Sequence, residues 1–479
     1  MIYELVIGLE VHLQLKTTTK LFCGCSTKFG AAPNSQTCPV CLGLPGVLPV
    51  LNARAFEWGI RVALALNAQV AATMKFDRKQ YFYPDLPKNF QISQYDLPLA
   101  QRGGLDITLG EATKRINITR IHMEEDAGKL LHPEEGRVSL VDFNRAGVPL
   151  LEIVSEPDLR SPEEAYQYLI ELKAVLQYLD VSTCNMEEGS LRCDTNVSLR
   201  PAGAAAFGTK VEIKNLNSFR HVKLALEHEL ARQTALLAQG QRIVQETRLW
   251  HAKKQVTEPM RTKEGAADYR YFPEPDLVPF TISPETIARV KAQLPELPRE
   301  RRARFRQQYG LSAYDAQVLT QDRAMAELFE GAAQAYPKPK PVANWIMGEL
   351  SAYLNAKGAS LESLKVRPEW LGHLLQLQEA GTLSGPLAKQ VFAAMLETGR
   401  DPRALVAEGG FEQISDEGAL ERIAAEVIEA FPKSAEDYLN GKANALMYLV
   451  GQSMKRSQGK ANPQQMAEIL KRKLAKVST

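Results

Sequence analysis

The first fifteen residues alternate with a period of two: Leu5, Ile7, Leu9, Val11, Leu13 and Leu15 share one parity, and Gly8, Glu10, His12 and Gln14 share the other. Successive side chains of a strand point to opposite faces, so this segment requires a sheet that is apolar on one side and polar on the other. The pattern returns in Leu191, Cys193, Thr195, Val197 and Leu199 against Arg192, Asp194, Asn196, Ser198 and Arg200. It returns again in Val211 and Ile213 against Lys210, Glu212 and Lys214. Several strands therefore offer polar faces that one surface can collect.

Helices with readable ends lie between these strands. Ser161-Pro162-Glu163-Glu164 combines an N-cap, a proline at the first helical position and a capping-box glutamate, followed by Ala165, Leu169, Leu172, Leu176 and Leu179 at helical spacing. A second helix is expected from Ser218 to Gly240. Strands mixed with helices, without regular βαβ alternation, predict an α+β domain built on antiparallel sheet. A proline-dense stretch from Pro273 to Pro298 ends this pattern, and strand signals nearly vanish beyond it. The spacing predicts a first domain over 1–295 and two all-helical modules over 296–405 and 406–479, the last division marked by Gly399 to Pro402 and Gly409-Gly410. A chain of 479 residues accommodates three domains at roughly 100–200 residues each.

An apolar fraction of 45% and a charged fraction of 24% exclude a disordered or fibrous chain. The net charge of +2 gives no argument for nucleic acid, so any basic patch must be regional. The N-terminus lacks the basic, apolar and small-residue regions of a signal peptide, and no stretch of about 18 apolar residues follows, so a cytoplasmic location without membrane contact is expected. Cys23-Gly24-Cys25 and Cys38-Pro39-Val40-Cys41 pair four thiols at the spacing of a zinc ribbon. Four sulfur ligands leave no open position, so Zn²⁺ there would be structural; free cysteines or a redox pair are the alternative. Cys184 and Cys193 are expected in the core.

Glu10 and His12 project from one strand face, and His122, Glu124, Glu125 and Asp126 close a second alternating run. With Asp194 and Glu212 they suggest an oxygen-rich site for Mg²⁺, although either cluster alone reads equally well as a solvated strand edge. There is no GxxxxGK[ST] loop, no GxGxxG after a strand and no GxSxG elbow, which disfavours P-loop, Rossmann and serine-hydrolase chemistry. A nucleotide could instead meet Lys210, Lys214, Asn215, Asn217 and Ser218, the last at a helix start. Phe76 to Asp85 interleaves cations with aromatics, including Lys79 and Tyr81, as would a surface that clamps a phosphate and stacks a base, or alternatively a core strand. The tail carries Lys455, Arg456, Lys460, Lys471, Arg472, Lys473 and Lys476 against Glu468 alone, and Arg299, Arg301, Arg302, Arg304 and Arg306 form a second basic run. Each run is either a solvated helix face or a bed for a phosphate backbone.

The runs IGLEVHLQLKT, FDRKQYFYPDLPKNFQISQYD, HMEEDAGK, LLEIVSEPD, MEEGSLRCDTN, KNLNSF and DYRYFPEPD resemble those of the GatB family, the B subunits of bacterial aspartyl/glutamyl-tRNA amidotransferases. The likeness covers essentially the whole chain, including VGQSMKRSQGKANP in the tail. It implies a cradle-like catalytic domain, a helical domain and a small helical tail domain that grips tRNA. It implies a ligase in which the side-chain carboxylate of misacylated Glu-tRNA(Gln) or Asp-tRNA(Asn) takes the γ-phosphoryl of ATP, and ammonia then displaces phosphate. The ammonia would come from the A subunit, a glutaminase, with the small C subunit fastening the two and the cognate aminoacyl-tRNA synthetase as a further partner. The resemblance places Mg²⁺ at Glu10, His12 and Glu125, with Glu124 and Asp194 as further candidates and Glu125 also at the mouth of the ammonia path. Lys79, Tyr81, Lys214, Asn215 and Asn217 are candidate contacts for ATP or the acceptor end, and Lys455, Arg456, Lys460, Lys471, Arg472 and Lys473 for the tRNA body. The competing reading is a catalytically silent zinc-ribbon scaffold that binds RNA.

Overall fold

The structure, a computed structural model, describes residues 3–110, 112–133, 138–262, 269–409, 411, 414, 416–457 and 459–477, with side chains except at 261, 262, 362, 476 and 477. Gly410 and the side chain of Lys476 thus lie outside the described part. Contacts divide the chain into two compact units, Met1–Pro298 and Arg299–Thr479.

The first unit is organised by a nine-stranded sheet. Its strands are β1 (Tyr3–Gln14), β2 (Gln69–Val70), β3 (Ala100–Leu109), β4 (Ala112–Glu125), β5 (Pro149–Ser155), β6 (Leu191–Pro201), β7 (Val211–Lys214), β8 (Glu246–His251) and β9 (Val256–Thr262). They lie in the order β9-β8-β7-β6-β1-β5-β4-β3-β2, so the N-terminal strand sits at the centre. Every neighbouring pair is antiparallel except β7 with β8. That exception is a crossover through helix Phe219–Ala238, which supplies the length a parallel connection needs. The α+β class holds.

The parity of β1 decides which side is core. Leu5, Ile7, Leu9, Val11 and Leu13 are buried with Met123, Leu151, Ile153, Cys193, Val197 and Ile213 from neighbouring strands. Helices Ala53–Ala65, Pro162–Tyr178 and Phe219–Ala238 contribute to the same cluster. Close packing there leaves no room for a side chain at Gly59, where an added Cβ would stand 2.7 Å from Leu99 Cδ2. Ser161 caps its helix by accepting from Glu164 N–H at 3.1 Å, while the Glu164 carboxylate turns back to Arg160 N–H at 2.7 Å. Cys184 and Cys193 are buried.

The second unit is helical among its described residues. Its last four helices, Glu417–Ala430, Pro432–Leu439, Ala443–Arg456 and Pro463–Val477, share a core of Leu420, Ala424, Val427, Leu449, Met466, Leu470 and Leu474. No helix among the described residues is long and apolar enough to cross a membrane.

Candidate active site and metal centres

The side of the sheet opposite the core gathers the polar parity of β1, β4, β5, β6 and β7. Antiparallel register sets His12 beside Glu152 on β5 and beside Arg192 on β6, and sets Glu152 in turn beside His122 on β4. Residues directly opposite on one face have neighbouring side chains, so groups far apart in sequence converge. His12, Glu124 and Glu152 each present a ligand atom within 4.8 Å of the others. His12 Nε2 lies 3.5 Å from Glu152 and 3.9 Å from Glu124, while His122 Nε2 lies 3.1 Å from Glu152 and 3.7 Å from Glu124. Glu124, Glu152 and His122 are buried, and the side chain of His12 keeps 21% exposure, so the cluster opens through the imidazole.

The electrostatics follow from this crowding. Burial opposes a charge on His12, but the Glu152 and Glu124 carboxylates outweigh it and raise the imidazole to about 9. His122 is raised by the same balance. Glu152 lies well below the usual carboxylate range despite its burial, because both imidazoles face it, and Glu124 is lowered likewise. Two buried carboxylates side by side therefore rely on cations. The donor set of two carboxylates and one imidazole suits a divalent ion that keeps other positions for water or phosphate oxygens.

Lys79 faces the same cluster. Its ammonium lies 4.8 Å from the ring centroid of Tyr269 and 5.8 Å from that of Tyr81, and among the described residues it makes no hydrogen bond or ion pair. Burial works against its charge, yet Glu124 and Glu152 hold it above the usual lysine range. Tyr271, raised to about 12 by burial, stacks on Tyr95 with centroids 4.4 Å apart, which completes an aromatic wall beside the lysine.

Other residues singled out from the sequence lie on this face or elsewhere. Glu10 points to the same side as His12 but one step along the strand, where Asn196 Nδ2 donates to it at 2.8 Å; it is not part of the three-residue cluster. Asp194 pairs with Lys214, which also lies 3.6 Å from Glu212. Asn215, at φ +67°, donates to the Trp250 carbonyl, and Asn217 is exposed just before the Ser218 N-cap. Glu125 has the opposite parity to Glu124 and turns away from the cluster. It pairs with Lys88 and accepts from Ile92 N–H at 2.9 Å, on the wall of a cavity of about 230 Å³ that also touches Cys23, Cys41, Lys20 and Gly147.

Glu152 and its place beside His12 were not anticipated. The available signal was a lone carboxylate inside the apolar run Pro149-Leu-Leu-Glu-Ile-Val. An unpaired charge in an otherwise buried strand needs a partner.

The four thiols converge locally. Cys23, Cys25, Cys38 and Cys41 bring their sulfurs within 4.8 Å of one another, close to the ~3.8 Å separation that a Zn–S length of about 2.3 Å imposes on a tetrahedron. Cys38 N–H donates to Cys41 Sγ at 3.1 Å, and Gly43 at φ +67° ends the short helix Pro39–Leu42. A thiol hydrogen bond from Cys23, aided by Lys20, holds Cys41 down at about 4, whereas burial raises Cys25 to about 11 and the bond to Cys41 raises Cys23 further. One thiolate is thus favoured without a cation, and a divalent ion would be needed to deprotonate the set.

In the tail, neighbouring helices alter the basic run. Arg472 pairs with Glu417 at 2.7 Å and Glu421 at 2.5 Å, Lys473 approaches Glu421 at 4.0 Å, and Arg456 pairs with Glu426 at 2.8 Å. Lys455, Lys460 and Lys471 have no ion pair among the described residues. Arg301 and Arg304 both bind Glu330.

Comparison with known proteins places this geometry in context. A family model described as the GatB/GatE catalytic domain matches residues 5–288, and one described as the GatB domain matches residues 327–474. The B subunit of the aspartyl/glutamyl-tRNA(Asn/Gln) amidotransferase of Carboxydothermus hydrogenoformans is 57% identical over 478 residues, covering 99% of each chain. The proteins of the same name from Moorella thermoacetica and Thermosynechococcus vestitus are 57% and 54% identical, covering 98% of this chain and 100% and 96% of their own.

Proposed function

The chain belongs to the GatB family, and we propose on that premise that its sheet face carries the amidating half of a tRNA-dependent amidotransferase. The side-chain carboxylate of misacylated Glu-tRNA(Gln) or Asp-tRNA(Asn) would be phosphorylated by ATP and then converted to the amide by ammonia. The observation that carries this reading is the convergence of His12, Glu124 and Glu152 within 4.8 Å, beside a lysine that pairs with no carboxylate among the described residues.

Each group has a role that its position supports. His12, Glu124 and Glu152 are the residues that would hold Mg²⁺, and His122 orients Glu152 from behind. Bound there, the cation would neutralise charge on the transferred phosphoryl group. Lys79 would meet the γ-phosphate, and the rings of Tyr81, Tyr269 and Tyr271 offer a stacking surface to the acceptor end. Lys214, Asn215 and Asn217 would contact the nucleotide or the acceptor end farther along the face. Glu10 and Asp194 would position Asn196 and Lys214 in that stretch.

The partners follow from the family and from the missing nucleophile elbow. A glutaminase, the A subunit, would supply ammonia, with the small C subunit joining the two and a synthetase as a further associate. The knuckle would hold structural Zn²⁺. The domains we propose are a cradle over 1–295, a helical domain over 296–405 and a tRNA-gripping tail over 406–479, working in the cytoplasm.

The test is reconstitution of the three subunits with ATP and each misacylated tRNA, using ammonium chloride or glutamine as the nitrogen source. Glu152→Gln should abolish most amide formation from either source while the glutaminase activity of the A subunit and tRNA binding persist. Unchanged amidation would leave the cradle as a scaffold.

A further inference from the structure

Lys20 is fully buried, at 0% exposure, and it has no carboxylate partner among the described residues. Among the described residues its ammonium makes two hydrogen bonds, to Cys41 Sγ at 3.5 Å and to the Phe143 carbonyl at 3.3 Å. Lysines are almost never completely buried unless paired, because removing the charge from water is costly. Glu125, a carboxylate on the same cavity wall, is committed to Lys88 and Ile92 N–H. Among the described residues, the Cys41 sulfur is thus the only side chain on which the Lys20 ammonium rests.

The backbone delivers the side chain to that place. Lys20 N–H donates to the Cys25 carbonyl at 3.0 Å across the first thiol hairpin, and Asn52 Nδ2 donates to the Lys20 carbonyl at 3.2 Å. The stem then passes Gly147, which stands at φ +85°. A Cβ there would lie 3.4 Å from Lys20 Cδ, 3.5 Å from Cys41 Cβ and 3.9 Å from Glu125 Oε2. These are ordinary van der Waals separations, so the left-handed backbone, not lack of space, is what favours glycine beside the lysine stem.

Four thiolates around a divalent ion leave two negative charges in excess, which a buried site must balance by N–H groups or cations. We propose that Lys20 is the charge-compensating residue of the four-cysteine site: its ammonium cancels one of those charges at Cys41 and makes the fully deprotonated tetrathiolate tolerable inside the fold. The inference rests on the reading that the knuckle binds zinc and extends it to a positioning residue outside the ligand set. It also gives the lysine its reason for burial.

The experiment uses the full-length chain and zinc itself. Wild-type protein and Lys20→Met are compared for zinc content, for zinc loss to a graded series of chelators, and for the absorption of Co²⁺ substituted into the site. Lys20→Met should hold its metal roughly 10–100-fold more weakly, as expected for loss of a partner to a metal ligand. Equal retention by the two proteins would overturn the proposal. A wild-type chain that binds no zinc would instead remove the metal site, and with it the role, so the two failures are distinguishable.

If Lys20→Met folds poorly, thermal unfolding of Cys41→Ala and of Cys41→Ala with Lys20→Met decides the matter. Cys41→Ala strands a buried ammonium, so adding Lys20→Met should raise the melting temperature in that background although it lowers it in the wild type. If Lys20→Met lowers the melting temperature equally in both backgrounds, Lys20 is a packing residue and the proposal falls.

Discussion

The two candidate metal centres of the first unit are built in opposite ways. The thiol knuckle draws its four ligands from Cys23 to Cys41, within two short turns. The carboxylate–imidazole cluster draws its ligands from residues 12, 124 and 152, on three adjacent strands whose neighbours are fixed only when the sheet assembles. A local site can form before the domain closes and serve it as a staple, whereas an assembled site exists only as a product of the fold and can exploit a surface for chemistry. With an ion bound, the knuckle would fill all four tetrahedral positions with sulfur, whereas the cluster would provide three donors and leave the rest to solvent or substrate.

The largest expected effect tests that division of roles. Glu152→Gln should lower ammonia-dependent amidation on the order of 10²–10³-fold, the scale for removing an electrostatic group at a reacting centre. Cys38→Ser with Cys41→Ser should leave kcat within a few fold. The comparison breaks if the cysteine pair proves catalytic or if amidation tolerates the loss of Glu152.

Zinc removal should act on stability instead. The same cysteine double substitution should strip about one zinc per chain and lower the melting temperature of the first unit by several degrees, since a structural metal contributes to folding. Metal analysis with calorimetry reads both. A zinc content unchanged by the substitution would place the metal elsewhere.

These contrasts explain what the sequence made legible. The strand parity of residues 5–15 identified the core face and the polar face, because period-two alternation is a local signal. The Cys₄ spacing was equally local. The partners of His12 were harder, because β5 and β6 flank β1 although their residues lie more than a hundred positions away. Glu125 illustrates the limit: adjacent to Glu124 in sequence, it occupies the other face, and only the register assigns which of the two meets His12. The reading of Glu152 required knowing that its apolar strand pairs with β1. The parallel pairing of β7 with β8 was also hidden, since a strand–helix–strand segment does not reveal its sheet order.

A moderate effect concerns protons at the assembled cluster. His12, raised to about 9 from an ordinary 6.5, adds stability that is fully present below 6.5 and is lost as pH rises through about 9. The scale is on the order of 3 kcal/mol. In Mg²⁺-free buffer, denaturant unfolding should therefore show stability declining between these values. Adding Mg²⁺ or Mn²⁺ should flatten the decline, because a ligating imidazole is neutral and the ion competes with the proton. At the acid end the sign reverses: the lowered Glu124 and Glu152 contribute stability present above about 4.5 that is lost as pH falls through their folded values. A His12→Asn variant with the same alkaline slope would move the titration to another group.

The smallest effect tests whether local charge can be read as a binding surface. The tail looks uniformly basic in sequence, yet three of its cations face carboxylates from the helix Glu417–Ala430, while Lys455, Lys460 and Lys471 do not. A cation already paired must give up that partner to take a phosphate, so it releases fewer counterions on binding. Substituting Lys455, Lys460 or Lys471 by alanine should each lower the log–log salt slope of tRNA binding by roughly 0.7–0.9 if that lysine contacts a phosphate. Arg472→Ala should change the slope less, because Glu417 and Glu421 are freed at the same time and repel the RNA in its place. Filter binding over a salt series distinguishes the cases. Equal slopes for all four variants would show that assembly does not edit the tail's charge and that its basic run behaves as the sequence alone describes it.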